Sequence, residues 1–323
     1  MAQESDAPQL KARNLLLLGA SGLIGSRILN AVVAAKSNFE SIAVFTSASN
    51  LEKKPGLFEP LKAQGIRIIT GDVNSENDVR AAYQGVDTVV SALGRDVLAS
   101  QIPLIHLAAS PSSSVKWFFP SEYGTDIEYS PASAHEKPHQ QKLKVRAALN
   151  EVKDRLVHTY VVTGPFSDLY LGPGLPDIRG GAFRVKERRA DLLGDGNGRI
   201  SLTTMDDVGK LVVAALLHPT AARNRALKVN SFTTTPAEIL HEFERQTGGQ
   251  GWGNVTYTPL DELRKLEEDA WKNGPPGRAT VLTLRRIWTE GGTLYEKRDN
   301  EIIGEPQMAT LEQAVSQAIK EQE

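Results

Sequence analysis

The sequence predicts a doubly wound α/β fold: a Rossmann-type parallel sheet followed by a smaller C-terminal substrate domain. Three observations predict it. Strand-like and helix-like stretches alternate at about 25–35 residues per unit up to Thr163, the rhythm of repeated βαβ units. Several of the strand-like runs are apolar throughout, as expected when helices cover both faces of a parallel sheet. The first run passes straight into spaced glycines and a helix start, Leu15-Leu16-Leu17-Leu18-Gly19-Ala20-Ser21-Gly22-Leu23-Ile24-Gly25.

Taken in order, Met1 to Lys11 is expected to fray. Asn14 to Leu18 reads as the first strand. Leu23 to Ala35 reads as a helix, because Leu23, Ile24, Ile28, Ala31, Val32 and Ala35 form one apolar stripe. Ser41 to Phe45 is the second strand, Leu57 to Gln64 a short helix closed by Gly65, and Ile66 to Thr70 the third strand. Glu76 to Tyr83 is helical and stopped by Gly85. Val86 to Ser91 is the fourth strand. Ala99 to Ser110 is a helix that holds Pro103 in its first turn, where a missing N–H does no harm. Val115 to Phe119, a helix over Gln140 to Val152, and His158 to Thr163 complete the series.

After Thr163 the texture changes. Gly164-Pro165 and Leu171 to Pro176 are loop-rich. Asp195-Gly196-Asn197-Gly198 reads as a hairpin turn between Ala190–Leu193 and Arg199–Leu202. Met205 to Leu217 is helical with Asp206 and Asp207 in its first turn, where carboxylates suit the helix dipole. Ala226 to Val229 is a strand, Thr234 to Glu238 a capped helix start, Asp261 to Asn273 a helix, and Thr310 to Glu323 a closing helix. The expected division is 1–163 and 164–323, with some later segments packing back on the first unit.

The chain has 323 residues, 40% hydrophobic and 24% charged, enough for a sizeable core. A net charge of −2 gives no electrostatic case for nucleic acid or an anionic membrane as partner. With no cysteine, thiol catalysis and disulfides are excluded. The polar start is no signal peptide and no apolar run approaches a membrane span, so a cytoplasmic protein is expected. The expected partner is a small-molecule substrate, with a homodimer as an option.

The glycine run is a phosphate cradle in physical terms. Leftover N–H groups at a helix N-terminus point at an anion. Gly19 allows the tight turn, Gly22 close approach of the backbone to pyrophosphate, and Gly25 close helix–strand packing. Ser21, Leu23 and Ile24 complete the predicted contact. After the second strand the sequence runs Phe45-Thr46-Ser47-Ala48-Ser49, with no acid before Glu52. An NAD site places an acid there for the ribose hydroxyls. Its absence leaves room for a 2′-phosphate, which Thr46, Ser47 and Ser49 can bond and Lys53 and Lys54 can neutralise. NADPH is the expected cofactor.

Four segments carry a resemblance: Gly19 to Gly25; Val89 to Gly94 with Gln101; Val115 to Gly124, including Pro120-Ser121-Glu122-Tyr123-Gly124; and Lys142-Leu143-Lys144-Val145-Arg146. Together they resemble the isoflavone-reductase-like and NmrA-like family of atypical short-chain dehydrogenases. The resemblance implies an NADPH-binding Rossmann domain with a lid-like C-terminal domain. It also implies reduction of aromatic secondary metabolites, with the lysine of K-x-x-[VI]-R, here Lys142, working beside the nicotinamide. Thr46 stands where many of these reductases carry a phosphate-binding arginine. Gly164-Pro165 stands where plant-type members carry an asparagine beside an aromatic, and Phe166 then borders the nicotinamide. The same resemblance allows a second function, a non-catalytic NADP(H)-sensing regulator that binds a protein partner.

The residues agree with the atypical branch. None of the seven tyrosines has a lysine four positions on, so the usual Tyr-x-x-x-Lys acid is missing. Lys142 remains. A lysine starts near pKa ~10.4 and exchanges protons usefully only near ~7–8. Burial brings it there, and Lys142 falls beside the stripe Val145, Ala148, Leu149, Val152. Strand ends at the carboxyl edge of such a sheet face the ligand crevice. On that ground Asp72 is a candidate for adenine, Gly94 and Arg95 for pyrophosphate, and Ser121 for the nicotinamide. Tyr123, His135, Phe166 and Tyr170 are candidates for substrate. His135-Glu136-Lys137-Pro138-His139 spells a zinc-protease signature, but that motif needs one continuous helix and Pro138 opposes it. No metal is expected.

Overall fold

The computed structural model describes residues 10–177, 179–295 and 297–323; most of the expected frayed tail lies outside them. Twelve strands and thirteen helices are named here in chain order. The first series is β1 (Asn14–Leu18), α1 (Leu23–Ala34), β2 (Ser41–Thr46), α2 (Ala48–Lys53), α3 (Pro55–Ala63), β3 (Arg67–Thr70), α4 (Glu76–Ala82), β4 (Thr88–Ser91), α5 (Gln101–Ala108), β5 (Trp117–Phe119), α6 (Gln140–Glu151) and β6 (Val157–Val162). The second is α7 (Ser167–Tyr170), β7 (Ala182–Arg184), β8 (Arg189–Leu193), β9 (Ile200–Leu202), α8 (Met205–Leu217), α9 (Pro219–Ala222), β10 (Arg225–Lys228), β11 (Phe232–Thr234), α10 (Pro236–Gln246), β12 (Asn254–Thr258), α11 (Leu260–Asn273), α12 (Pro276–Thr289) and α13 (Leu311–Gln322).

A seven-stranded parallel sheet in the order β10-β6-β5-β4-β1-β2-β3 forms the centre. The order reverses at β1 and β4, and that switch point is where ligands bind in such sheets. The all-leucine run of β1 follows from burial on both faces. Leu15 and Leu17 enter one core with Ile28, Leu29 and Val32 of α1. Leu16 and Leu18 enter the opposite core with Leu104 and Ile105 of α5. A side-chain period of two sends alternate leucines to opposite layers.

Two segments beyond residue 163 join this first unit. β10 is its seventh strand, and α8 lies against α1 so closely that a Cβ on Gly209 would stand 2.5 Å from the Arg27 carbonyl oxygen. A third core, with Phe183 stacked on Phe243 at 5.2 Å and Trp252 beyond it at 5.5 Å, holds the remaining C-terminal elements. Thr235 opens α10 with a full capping box to Glu238.

The expected hairpin is corrected. Its two arms are strands, but they do not pair. β8 lies between β7 and β12, whereas β9 pairs with β11. The Asp195-Gly196-Asn197-Gly198 turn exists, with Asp195 accepting from the Asn197 amide at 2.9 Å. It separates the strands because β12, more than 50 residues on, takes the edge the hairpin partner would need. Among the described residues no helix is long and apolar enough to cross a membrane.

Candidate active site

The glycine loop is built as a cradle. Gly19 has φ +73°, and a Cβ there would stand 2.5 Å from the Ala92 carbonyl oxygen on the neighbouring strand exit. A Cβ on Gly25 would collide with the Gly19 carbonyl, so helix and turn close only over hydrogen. Gly22 opens α1 with no side-chain cap and no acid in the first turn. The first-turn amides, those of Leu23, Ile24 and Gly25 among them, are thus left to an outside acceptor, and a pyrophosphate fits. Leu23 itself is 60% exposed, unusual for a leucine at a helix start.

Beside the cradle, the end of β2 and the short α2 form a polar corner. Asn50 donates to the Ser21 hydroxyl at 2.8 Å and to the Thr46 hydroxyl at 2.7 Å. Ser47 caps α2 through its hydroxyl, and Lys54 reaches the Ser21 carbonyl at 2.8 Å. Lys53 is exposed. Asn50, absent from the expected set, is the hub, and nothing local in the sequence marks it. Asp72 holds the turn at the exit of β3: one carboxylate oxygen accepts the amide of Asn74 at 2.9 Å and that residue's side chain at 3.1 Å.

Opposite the cradle, the exits of β4 and β5 are tied together. Ser121 donates its hydroxyl to the Leu93 carbonyl at 2.9 Å, and its amide donates to buried Gln101 at 2.8 Å. Gly94 and Arg95 follow on the exposed rim. Arg95 has no ion-pair partner among the described residues, and its charge bears on Lys142.

Lys142, in the first turn of α6, is half-buried, and its ammonium donates to the Glu122 carbonyl at 2.6 Å. Gly124 lies beside it with φ +145°, and a Cβ there would make ordinary contact with Nζ at 3.7 Å. Burial brings the amine down to about 8; the Glu122 carboxylate opposes that fall, while Arg95 and Arg146 add to it. Beneath it, Arg146 binds the wholly buried Glu122 at 3.0 and 3.1 Å and Glu128 at 2.5 Å. This buried pair joins two of the sequence motifs into one unit. Both residues stood in motifs, so the pairing was available to sequence reasoning and was missed.

The other expected residues divide. Phe166 packs against the core that holds Ala20 of the cradle. Tyr170 is buried and faces Trp288 of α12 at 6.1 Å between ring centres; Trp288 in turn donates to Thr125 at 2.9 Å. Tyr123 places its ring in the central core, and its hydroxyl is buried without a partner among the described residues. His135 is exposed, whereas His139 is buried. The stretch 135–139 is no continuous helix. Glu136 is extended (φ −67°, ψ 122°) between two short 3-10 turns, so the two histidines do not share a helical face.

These parts define a class: a dinucleotide-binding α/β protein with a glycine cradle at its switch point and a half-buried lysine bonded to the β5 exit. The chain belongs to the NmrA-like family, whose model matches residues 11–267. It is 29% identical to a phenylcoumaran benzylic ether reductase of Pinus taeda over 86% of this chain and 87% of that one. It is likewise 29% identical to an isoflavone reductase of Pisum sativum, over 72% and 76% of the two chains. Among solved structures, an isoflavone reductase superposes with a TM-score of 0.78 at 22% identity, covering 95% of this chain and 99% of that one. An NADPH complex of leucoanthocyanidin reductase from Vitis vinifera superposes at 0.76 with 18% identity and the same coverage.

Proposed function

We infer that this chain is an NADPH-dependent reductase of a small aromatic secondary metabolite, with Lys142 as its acid. The observation that carries the reading is the lysine's setting: a half-buried amine with a pKa of about 8, held by a backbone carbonyl at 2.6 Å. A protein that only sensed a dinucleotide has no use for a tuned proton donor. The relatives named for their activity are reductases of aromatic plant metabolites, and a structural neighbour is named as an NADPH complex.

The α1 N-terminus would hold the pyrophosphate, and the Thr46–Asn50–Lys53 corner the adenosine end, with its 2′-phosphate near Lys53. Bound NADPH supplies the hydride. The chain supplies the rest. Phe166 borders the cofactor's reacting end and excludes water from it. Exposed Leu23 follows β1 and exposed Val97 follows β4, and they give the crevice part of the apolar rim an aromatic ring needs. At pH 7 a lysine of pKa about 8 is protonated roughly ten to one. Nζ therefore gives its proton to the oxyanion that develops on the substrate, and the Glu122 carbonyl keeps it aimed.

The test is NADPH oxidation across a panel of aromatic ethers, enones and phenols. Turnover by the wild type and its loss in Lys142→Met, with NADPH affinity intact, is the expected result. Undiminished turnover in Lys142→Met would remove the lysine from the mechanism. No turnover by either, with a protein regulator bound instead, would favour the sensor.

A further inference from the structure

Resting on the reductase reading, we propose that His139 is a second polar contact for the substrate: its Nε2 accepts a hydrogen bond from a hydroxyl on the aromatic ring. His139 stands immediately before α6 with helical backbone (φ −87°, ψ −21°). It is therefore one turn from Lys142 on the same face. The side chain is 2% exposed. Its Nδ1 lies 3.1 Å from the Ser133 carbonyl oxygen. A carbonyl only accepts, so Nδ1 carries a hydrogen, and in the neutral ring Nε2 carries a lone pair.

That lone pair is buried and has no partner among the described residues. Orphaned buried acceptors are rare and each asks for a reason. Here the surroundings are otherwise closely bonded. Ser133 donates to the Ile127 carbonyl at 2.5 Å, the His139 amide donates to Glu136 at 3.0 Å, and Gln140 donates to Ala134 and Glu136 at 2.8 and 3.0 Å. A loop with so many satisfied groups leaves one acceptor open.

The ring belongs to a set of aromatic contacts at the Lys142 end of α6. The His139 ring meets Tyr129 edge-on at 6.3 Å. Tyr129 lies against Gly292, where a Cβ would stand 3.1 Å from its ring. Four residues earlier is Trp288, which is bonded to Thr125 and packed against Tyr170. These contacts tie the segment just before α6 to the C-terminal elements. Burial and the charge of Lys142 both keep the ring neutral, with Ser133, Glu136 and Glu122 opposing. A neutral imidazole beside an ammonium suits a phenol, since one group accepts its hydrogen bond and the other steadies its oxygen.

The experiment titrates 4-propylphenol and 4-propylanisole, which differ only by methylation of the hydroxyl, into the NADPH-loaded full chain by calorimetry. The wild type is expected to prefer the phenol about tenfold, the worth of one good hydrogen bond. In His139→Phe the ratio should fall to about one, and His139→Gln, which restores an acceptor, should recover part of it. The ratio is taken within one protein, so a variant that folds less well does not distort it. An unchanged ratio in His139→Phe overturns the proposal, as does a wild type that binds both probes equally or neither. A phenol preference without NADPH oxidation on any aromatic would sink the reductase reading and leave this contact standing.

Discussion

At the residue scale, the proposed reduction rests on one amine and its environment. Lys142 loses water to the fold and receives only a backbone carbonyl in return, and that desolvation brings it to about 8 against the opposing Glu122 carboxylate. An acid is active while protonated, so kcat/KM should be flat at neutral pH and fall through a single ionisation near pH 8. In Lys142→Arg the limb should vanish, because guanidinium does not titrate there. A wild-type profile flat to pH 9.5 would contradict the assignment. Lys142→Met should cut kcat by roughly 10²–10⁴, the usual worth of a placed acid. Lys53, exposed at the adenosine corner, should matter only to the cofactor's phosphate. Lys53→Ala is expected to weaken NADPH about fivefold, as one screened ion pair would, and to leave NADH unchanged in the same fluorescence titration. Equal loss for both cofactors would deny the phosphate contact. The lysine and the glycines were legible because motif spacing fixes them. His139 was not distinguishable from His135 in sequence. The two differ by where the chain bends around Glu136 and Pro138, a bend held by Ser133, whose hydroxyl donates to the Ile127 carbonyl and whose carbonyl accepts from His139 Nδ1.

At the element scale, α6 is anchored to the β5 exit by the Glu122–Arg146 pair, with side chains 1% and 7% exposed. Such a pair adds little net stability when intact, but leaves an uncompensated buried charge when one partner is removed. Glu122→Gln should therefore lower stability by about 3 kcal/mol in urea titration. It should also move the pH limb downward, since the Glu122 carboxylate holds Lys142 in its charged form and the unpaired Arg146 opposes it. A stability loss with the limb unmoved would mean that the carboxylate acts on packing alone. Elements of the first unit were readable because local pattern and burial agree: β1 is apolar on both faces and α1 carries one stripe. The β8–β9 turn misled for the opposite reason. Its local signal is strong, but strand partners there are chosen by β12, which no short-range pattern announces. Helices α2 and α12 were also missed. α2 is only six residues long, and α12 opens on Pro275-Pro276-Gly277, a breaker signal that in fact caps it.

At the scale of the whole molecule, the C-terminal elements reach the loop before α6 through a charged cluster centred on Arg286, beside the Trp288–Thr125 bond. Arg286 of α12 binds Glu136 at 2.8 Å, Glu267 of α11 at 2.5 Å and Glu290 at 2.9 Å, and it is 14% exposed. Its guanidinium is held well above its ordinary value by Glu267 and Glu136, despite the opposing cost of burial. Glu136 lies in the loop that holds His139 and leads into α6, so this cluster couples the far unit to the residues proposed to meet the substrate. Removing the cation leaves three carboxylates facing one another. Arg286→Leu should then loosen 131–139, and amide hydrogen exchange should rise there and in α12 while the glycine cradle stays protected. The aromatic substrate's KM should rise about tenfold, equal to one lost charge-assisted contact, with NADPH affinity unchanged. Because the effect is electrostatic, partial rescue is expected in Arg286→Lys and in the double variant Arg286→Leu with Glu136→Leu, which removes the repulsion along with the bond. If the double variant is no better than the single, the loop is held by packing around Ser133, and Arg286 serves only to join α11 to α12.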